Sequence, residues 1–229
     1  VDHAPPQQLL TQLRAGGIHW QPGEMVPLFD RVAGTLTDHE LPDDLDFVVE
    51  QFNRQVITRP YNAAVAEGIA EHIDPALPGK TLVFAVTDQH ADILVDEIRT
   101  ALRARYGTLE EAAVEKITGS VDRPSQRIRA FKNERLPSIV VTVDLLTTEI
   151  DVPEIVNLVF VRRVSSRILY EQMIGRATRL CPEIGKIEYR FFDAVGIYAQ
   201  MQAVSAVRPV VANPSIRFGQ LLEELTETV

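Results

Sequence analysis

The chain has 229 residues, 45% hydrophobic and 24% charged, the balance of an ordinary globular protein with room for one α/β domain and extra segments. No apolar run approaches the ~18 residues of a membrane span, and the amino terminus, VDHAPPQQ, has no basic region followed by an apolar one. The single Cys181 excludes an internal disulfide and a Cys-rich metal site, so a cytoplasmic setting without membrane contact is expected.

The net charge of −9 argues against a generally basic nucleic-acid coat. It is uneven, however. Residues 1–60 carry nine acids against four Lys/Arg, whereas residues 118–179 carry ten Lys/Arg against seven acids. A polyanion would therefore meet the later region.

Residues 1–58 are rich in Pro and Gly and read as a connector or flank, with a short helix near Gln7 to Ala15, a short strand pair, and a helix-like piece from Val48 to Asn53. From Arg59 the pattern sharpens. Pro60 suits the first turn of a helix through Ile73, with Val65 and Ile69 at i, i+4. Thr81 to Val86 is a continuous apolar run, as in a strand buried on both faces. Thr87 or Asp88 caps a helix to about Tyr106, with Ile93, Leu94, Ile98 and Leu102 inside and His90 at the surface of its first turn. Strands are expected at Val114 to Thr118, Ile139 to Val143, Val156 to Val161 and Ile187 to Phe192. A helix from Pro124 to Lys132 faces Ile128 and Phe131 inward. Five strands alternating with helices or long crossings predict an α/β fold, a mostly parallel sheet with helices on both faces. The domain is expected to span 59–195. Residues 196–229 then begin a carboxyl-terminal helical extension, with helices at Ile197 to Val204 and about Phe218 to Leu225.

The stretch Thr142 to Arg179 carries the chemistry. At 100° per residue on one helix, Gln172, Arg176 and Arg179 fall within ~60° of one another. Leu169, Met173 and Leu180 form a neighbouring apolar stripe. Two Arg and a Gln on one face suit a phosphate chain. In parallel sheets ligands sit beyond the carboxyl ends of the strands. Thr87, Thr118, Gly119, Thr142, the loop to Asp151 and the turn before the Arg helix all fall there, so these candidates are expected to converge on one edge.

Pro78-Gly-Lys-Thr81 is not a phosphate loop. The full pattern needs Gly where Asp74 stands, and the loop should follow a strand and open a helix rather than the reverse. No strand ends in adjacent acids suited to Mg²⁺. The histidines His3, His19, His39, His72 and His90 show no ligand spacing, and Cys181 reads as a packed residue rather than a nucleophile.

Gln172-Met-Ile-Gly-Arg-Ala-Thr-Arg179 resembles the last signature motif of superfamily-two helicases and translocases, Q-x-x-G-R-x-x-R. Thr142 with Glu149-Ile-Asp151 resembles the preceding one, T-x-x-x-x-x-x-G-I-D. Thr81 to Thr87 resembles the strand motif that opens the second RecA-like domain, and Thr118-Gly119 falls where a further nucleic-acid-contacting motif is expected. More closely, ITGSVD, SQRIRAFKNE, SIVVTVDLLTTEIDVPEI, SRILYEQMIGRATRLC and FFDAV resemble the motor region of the restriction (R) subunit of type I restriction-modification enzymes, from about Phe52 to Tyr198.

That resemblance implies a second RecA-like motor domain. ATP would lie between it and a first motor domain holding the phosphate loop and the Mg²⁺ ligands. Arg176 and Arg179 would stabilise charge on the γ-phosphoryl group, Gln172 would place the phosphate or the attacking water, and Asp151 and Gly175 would contact the nucleotide. Thr87, Thr118, Gly119 and Thr142 would hold phosphates of double-stranded DNA. The implied partners are the methylation and specificity subunits, with the first motor domain and a nuclease domain in the same parent chain. The rival readings are another superfamily-two motor such as a DNA repair helicase, and a RecA-like module serving only as a binding or assembly surface. Glu149 departs from the family pattern, standing where Gly is usual, and would weaken translocation by adding a negative charge near two polyanions.

Overall fold

In the computed structural model, the described residues are the strands at 7–8, 18–20, 25–30, 35–40 and 45–47, and residues 59–143, 152–164, 166–198 and 201. The chain divides into two compact units, Val1–Tyr198 and Ala199–Val229, and every element described belongs to the first. The elements are β1 (Gln7–Gln8), β2 (Ile18–Trp20), β3 (Met25–Asp30), β4 (Thr35–Glu40), β5 (Leu45–Phe47), α1 (Arg59–His72), β6 (Lys80–Phe84), α2 (Asp88–Tyr106), β7 (Val114–Lys116), α3 (Pro124–Asn133), β8 (Ile139–Thr142), β9 (Ile155–Phe160), α4 (Arg167–Gly175) and β10 (Arg190–Asp193).

Six strands form one parallel sheet in the order β1-β10-β9-β6-β8-β7. This is the parallel α/β arrangement expected from the alternation of apolar strands and helices, in the RecA-like form that the resemblance implies. The sixth strand is the surprise. Gln7–Gln8, expected to open a helix, instead pairs with Phe192 and Asp193. The expected strand pair near the amino terminus is present twice, as antiparallel β3–β4 and β2–β5. The pieces 9–15, 48–53 and 218–225 lie outside the described residues.

Right-handed crossovers decide which helix covers which face. The chain steps from β6 across to β7 through α2 and returns through α3, so these helices lie on opposite faces. α1 and α2 pack one face, where Tyr61, Val65, Ile69, Leu94, Ile98 and Leu102 close over Val83, Val141 and Val159. On the other face Phe160 meets Phe84 at 4.9 Å and Phe191 at 4.8 Å between ring centroids, with Tyr170 of α4 at 5.9 Å. Phe131 of α3 is fully buried. Each face is therefore apolar, as both faces of a parallel sheet must be.

The last strand starts later than expected. Ile187 is 79% exposed and pairing begins at Arg190. The preceding residues are taken up by a bridge between Cys181 and Lys186. Among the described residues no helix is long and apolar enough to cross a membrane.

Candidate functional site

Because the central strands are parallel, their carboxyl ends share one edge, and the turns leaving β6, β7 and β8 line it. Thr87 sits at the turn from β6 into α2, where its hydroxyl caps the helix by accepting the His90 N–H at 3.2 Å. His90 is not a surface residue. Its ring is fully buried, with Nδ1 accepting the Val86 N–H at 3.0 Å and Nε2 at 3.0 Å from Asn62 Oδ1 of α1. Burial holds its pKa down at about 3, so the ring is neutral and clamps the turn that presents Thr87.

Thr118 and Gly119 leave β7 at the same edge. Gly119 is exposed, and nothing lies within 4 Å of where a Cβ would stand. Thr118 is buried, and its hydroxyl donates to Asp88 Oδ1 at 2.5 Å. Ser120 Oγ donates to the same oxygen at 2.6 Å, and Lys116 Nζ bonds Oδ2 at 3.0 Å. The bonds from Ser120 and Thr118, then Lys116, hold the Asp88 carboxyl at a pKa of about 2. Thr142, at the end of β8, is fully buried, and its hydroxyl has no hydrogen-bond partner. Of the four threonine and glycine candidates, Thr87 and Gly119 are thus the accessible ones. Asp151 lies outside the described residues, as do Glu149, Thr147 and Thr148.

The arginine motif does not continue as a helix. Ser166 caps α4 by accepting the Leu169 N–H at 3.3 Å, and the helix ends at Gly175. Gln172 is exposed on its last full turn. Arg176 is the carboxyl-terminal cap, half-buried, and Arg179 lies exposed in the turn beyond. The helical spacing that placed all three on one face therefore fails for Arg179. Gly175 is a weak helix former, and the Thr178 hydroxyl bonds the Gly175 carbonyl at 3.0 Å, which favours the turn. Leu180, expected in the apolar stripe, is 59% exposed, while Met173 and Ala177 are buried. Nothing crowds Gly175, leaving the surface beside it open.

Nor do all candidates meet on one edge. β10 is parallel to β9, so the chain from α4 onward must return toward the amino ends of the strands. Lys186 Nζ marks that return, bonding Pro153 O at 2.8 Å just before β9. The edge threonines and the arginine turn are therefore two separate clusters. Buried Cys181 pairs with Lys186, the Cys181 N–H donating at 3.4 Å and the Lys186 N–H returning at 3.0 Å, which anchors the turn after Arg179. Its thiol also donates to Glu183 at 3.3 Å, in keeping with a packed, structural cysteine.

Three acting residues carried no sequence signal as such. Asp88 and His90 look like ordinary first-turn residues until β7 and α1 supply their partners. Asp193, buried at the end of β10, accepts the N–H groups of Val195, Ile197 and Tyr198 at 3.0–3.1 Å. Lys80, the lysine of the false phosphate loop, is buried and donates to the carbonyls of Glu134, Arg135 and Pro137.

The whole chain is similar to a type I restriction enzyme EcoKI endonuclease subunit from Escherichia coli K12, at 44% identity over 234 residues that make up 20% of that protein. It is also similar to the EcoAI endonuclease subunit from Escherichia coli, at 25% identity over 82% of this chain and 25% of that one. A fragment structure assigned to the HsdR subunit of a type I restriction enzyme from Vibrio vulnificus YJ016 superposes with a TM-score of 0.52 and 29% identity, covering 62% of this chain and 28% of that one. The chain thus spans about a fifth to a quarter of the curated relatives it matches. Residues 64–181, more than half of the sequence, match the helicase conserved C-terminal domain, and the chain belongs to that family.

Proposed function

We propose that this chain is the second RecA-like motor domain of a type I restriction R subunit, supplying the arginine half of a split ATP site and part of a DNA track. The observation that carries the proposal is the 44% identity to an E. coli restriction endonuclease subunit, over an alignment that covers the whole chain. The ATP would be held mainly by the first motor domain of the parent protein. Mg²⁺ would be held there with the nucleotide.

The residues present fit the triphosphate half of such a site. Arg176 is half-buried at the end of α4 and Arg179 exposed in the turn beyond, with exposed Gln172 a turn away. A guanidinium presents two parallel N–H groups to phosphoryl oxygens, which an ammonium cannot do. Bound ATP would supply the phosphoryl group on which charge spreads, and Arg176 and Arg179 would stabilise that charge. Gly175 leaves room for close approach, and Asp151 is assigned to the ribose. On the carboxyl edge, Thr87 and the Gly119 N–H would meet DNA phosphates without reading sequence. Contacts by Thr118 and Thr142 require local rearrangement. The methylation and specificity subunits, and a nuclease domain in the parent chain, complete the assignment, with a cytoplasmic setting.

Arg179→Lys in the full-length parent protein tests the reading. DNA-stimulated ATP hydrolysis should fall by ~10³-fold, the scale of an arginine finger, with nucleotide-free DNA affinity unchanged. A rate within about threefold of the parent's would remove the arginine-finger role, since such a role is worth orders of magnitude.

A further inference from the structure

Asp88 stands at the first position of α2 but is not needed as its cap, because the Thr87 hydroxyl already accepts the His90 N–H. Its carboxylate turns instead toward β7. There it gathers the Thr118 and Ser120 hydroxyls at 2.5 and 2.6 Å on one oxygen and the Lys116 ammonium at 3.0 Å on the other. A hydroxyl has a single proton. The two hydroxyls also lie 3.0 Å from each other, and with their protons shared between Asp88 and this contact neither Thr118 nor Ser120 is left to donate to a phosphate oxygen. Yet two hydroxyls and an ammonium closing on an anionic oxygen are the donors by which side chains hold nucleic-acid phosphates.

We propose that Asp88 is an internal competitor for the DNA backbone: in the DNA-free protein its carboxylate occupies the Thr118 and Ser120 donors that a DNA phosphate takes. The inference rests on the DNA-track reading of this edge. Charge points the same way. Lys116 also bonds Asp92 at 2.6 Å, so two carboxylates face one ammonium and the cluster repels a phosphate until Asp88 moves. The Asp88 side chain is 42% exposed and has solvent to move into. Asp88 would therefore set how tightly, and at what salt concentration, the track engages DNA.

Asp92 is a built-in control, sharing the ammonium and carrying the same charge through its ion pair with Lys116. The experiment measures binding of a fluorescent duplex of arbitrary sequence to the full-length parent protein, without nucleotide, over a salt series. Asp88→Asn should bind about tenfold tighter than the parent, the scale of one charge-assisted bond. Asp92→Asn should gain no more than about threefold, as expected of a screened surface charge. Asp88→Ser, too short to reach the loop, should move the same way as Asp88→Asn. Ser120→Ala should cost less than about twofold in the parent but about fivefold in the Asp88→Asn background, where its proton is released to phosphate. Equal gains from Asp88→Asn and Asp92→Asn would reduce the effect to charge and overturn the inference. Weaker binding by Asp88→Asn and Asp88→Ser would do so too, making Asp88 a positioning residue for the loop. If the parent protein has no measurable affinity for duplex DNA, the DNA-track reading falls and takes this inference with it.

Discussion

At the scale of the residue, His90 shows how much one buried ring can fix. Its Nδ1 accepts the Val86 N–H, which leaves Nε2 as the donor to Asn62 Oδ1. Protonation would set a second N–H against the Val86 N–H and bury an unpaired charge. The folded-state pKa is accordingly lowered from 6.5 to about 3. Between those values the unfolded chain binds a proton that the folded chain refuses. The stabilisation is thus complete above pH 6.5 and is lost as pH falls toward 3. At pH 5.5 the loss relative to pH 7.5 should be about 1.4 kcal/mol. Urea unfolding of the chain and of His90→Gln at both pH values checks this, since the other histidines cancel in the difference. The stability gap between the two proteins should narrow by about that amount, and an unchanged gap would mean that the ring is not held neutral. Nothing local announces this role, because the partner lies 28 residues upstream and only the packing of α1 on α2 brings it near. Thr142 is the same kind of case. Its place at a strand end is legible in the run Ile139-Val-Val-Thr142, but the burial of its unpartnered hydroxyl follows from what covers it.

At the scale of the element, Pro78-Gly-Lys-Thr81 is a device for entering β6. Gly79 has φ +111, and a Cβ there would stand 2.5 Å from Val156 Cγ2 of β9. The register of β6 against β9 shifts at Lys80/Thr81, directly after this approach. The Lys80 ammonium then satisfies the carbonyl of Glu134, the cap of α3 and a group that a helix leaves unpaired, and that of Arg135 just beyond it. Gly79→Ala should therefore destabilise the fold by about 3 kcal/mol, combining backbone strain with overpacking. Val156→Ala in the same chain should recover part of that loss by relieving the contact while leaving the strain. A neutral Gly79→Ala, measured by urea unfolding, would show that the approach is not that close. The sequence argued against a phosphate loop here on the missing Gly and on context, and the context is the expected one, a helix before and a strand after. It was less informative about α4, where the 3.6-residue period was carried four residues too far. Gly175 and the Thr178 hydroxyl end the helix early, a local effect that periodicity of apolar residues does not register.

At the scale of the molecule, the alternation of apolar strands with helices was enough to anticipate a parallel sheet, because each strand must be covered on both faces. It could not anticipate β1, since a two-residue pairing at Gln7–Gln8 is decided by the edge that β10 offers rather than by any pattern in the strand itself. It placed the turn before the arginine helix on the threonine edge, and from that turn the return of the chain to β10 leads away from the edge. That separation bears on what the chain can do by itself. Its sequence contains no Gly-x-x-x-x-Gly-Lys-Ser/Thr loop, and the one Gly-Lys-Thr it has spends its lysine on carbonyls. Arg176 and Arg179 would then have charge to stabilise only when another domain presents the nucleotide. The purified 229-residue chain should unfold cooperatively on heating yet hydrolyse ATP no faster than a buffer blank, with or without duplex DNA. Adding the first motor domain of the parent protein in trans should raise the rate, and Arg179→Lys should cancel that gain. Robust DNA-stimulated hydrolysis by the chain alone would mean that a complete nucleotide site exists within it, and the split-site assignment of the two arginines would have to be abandoned.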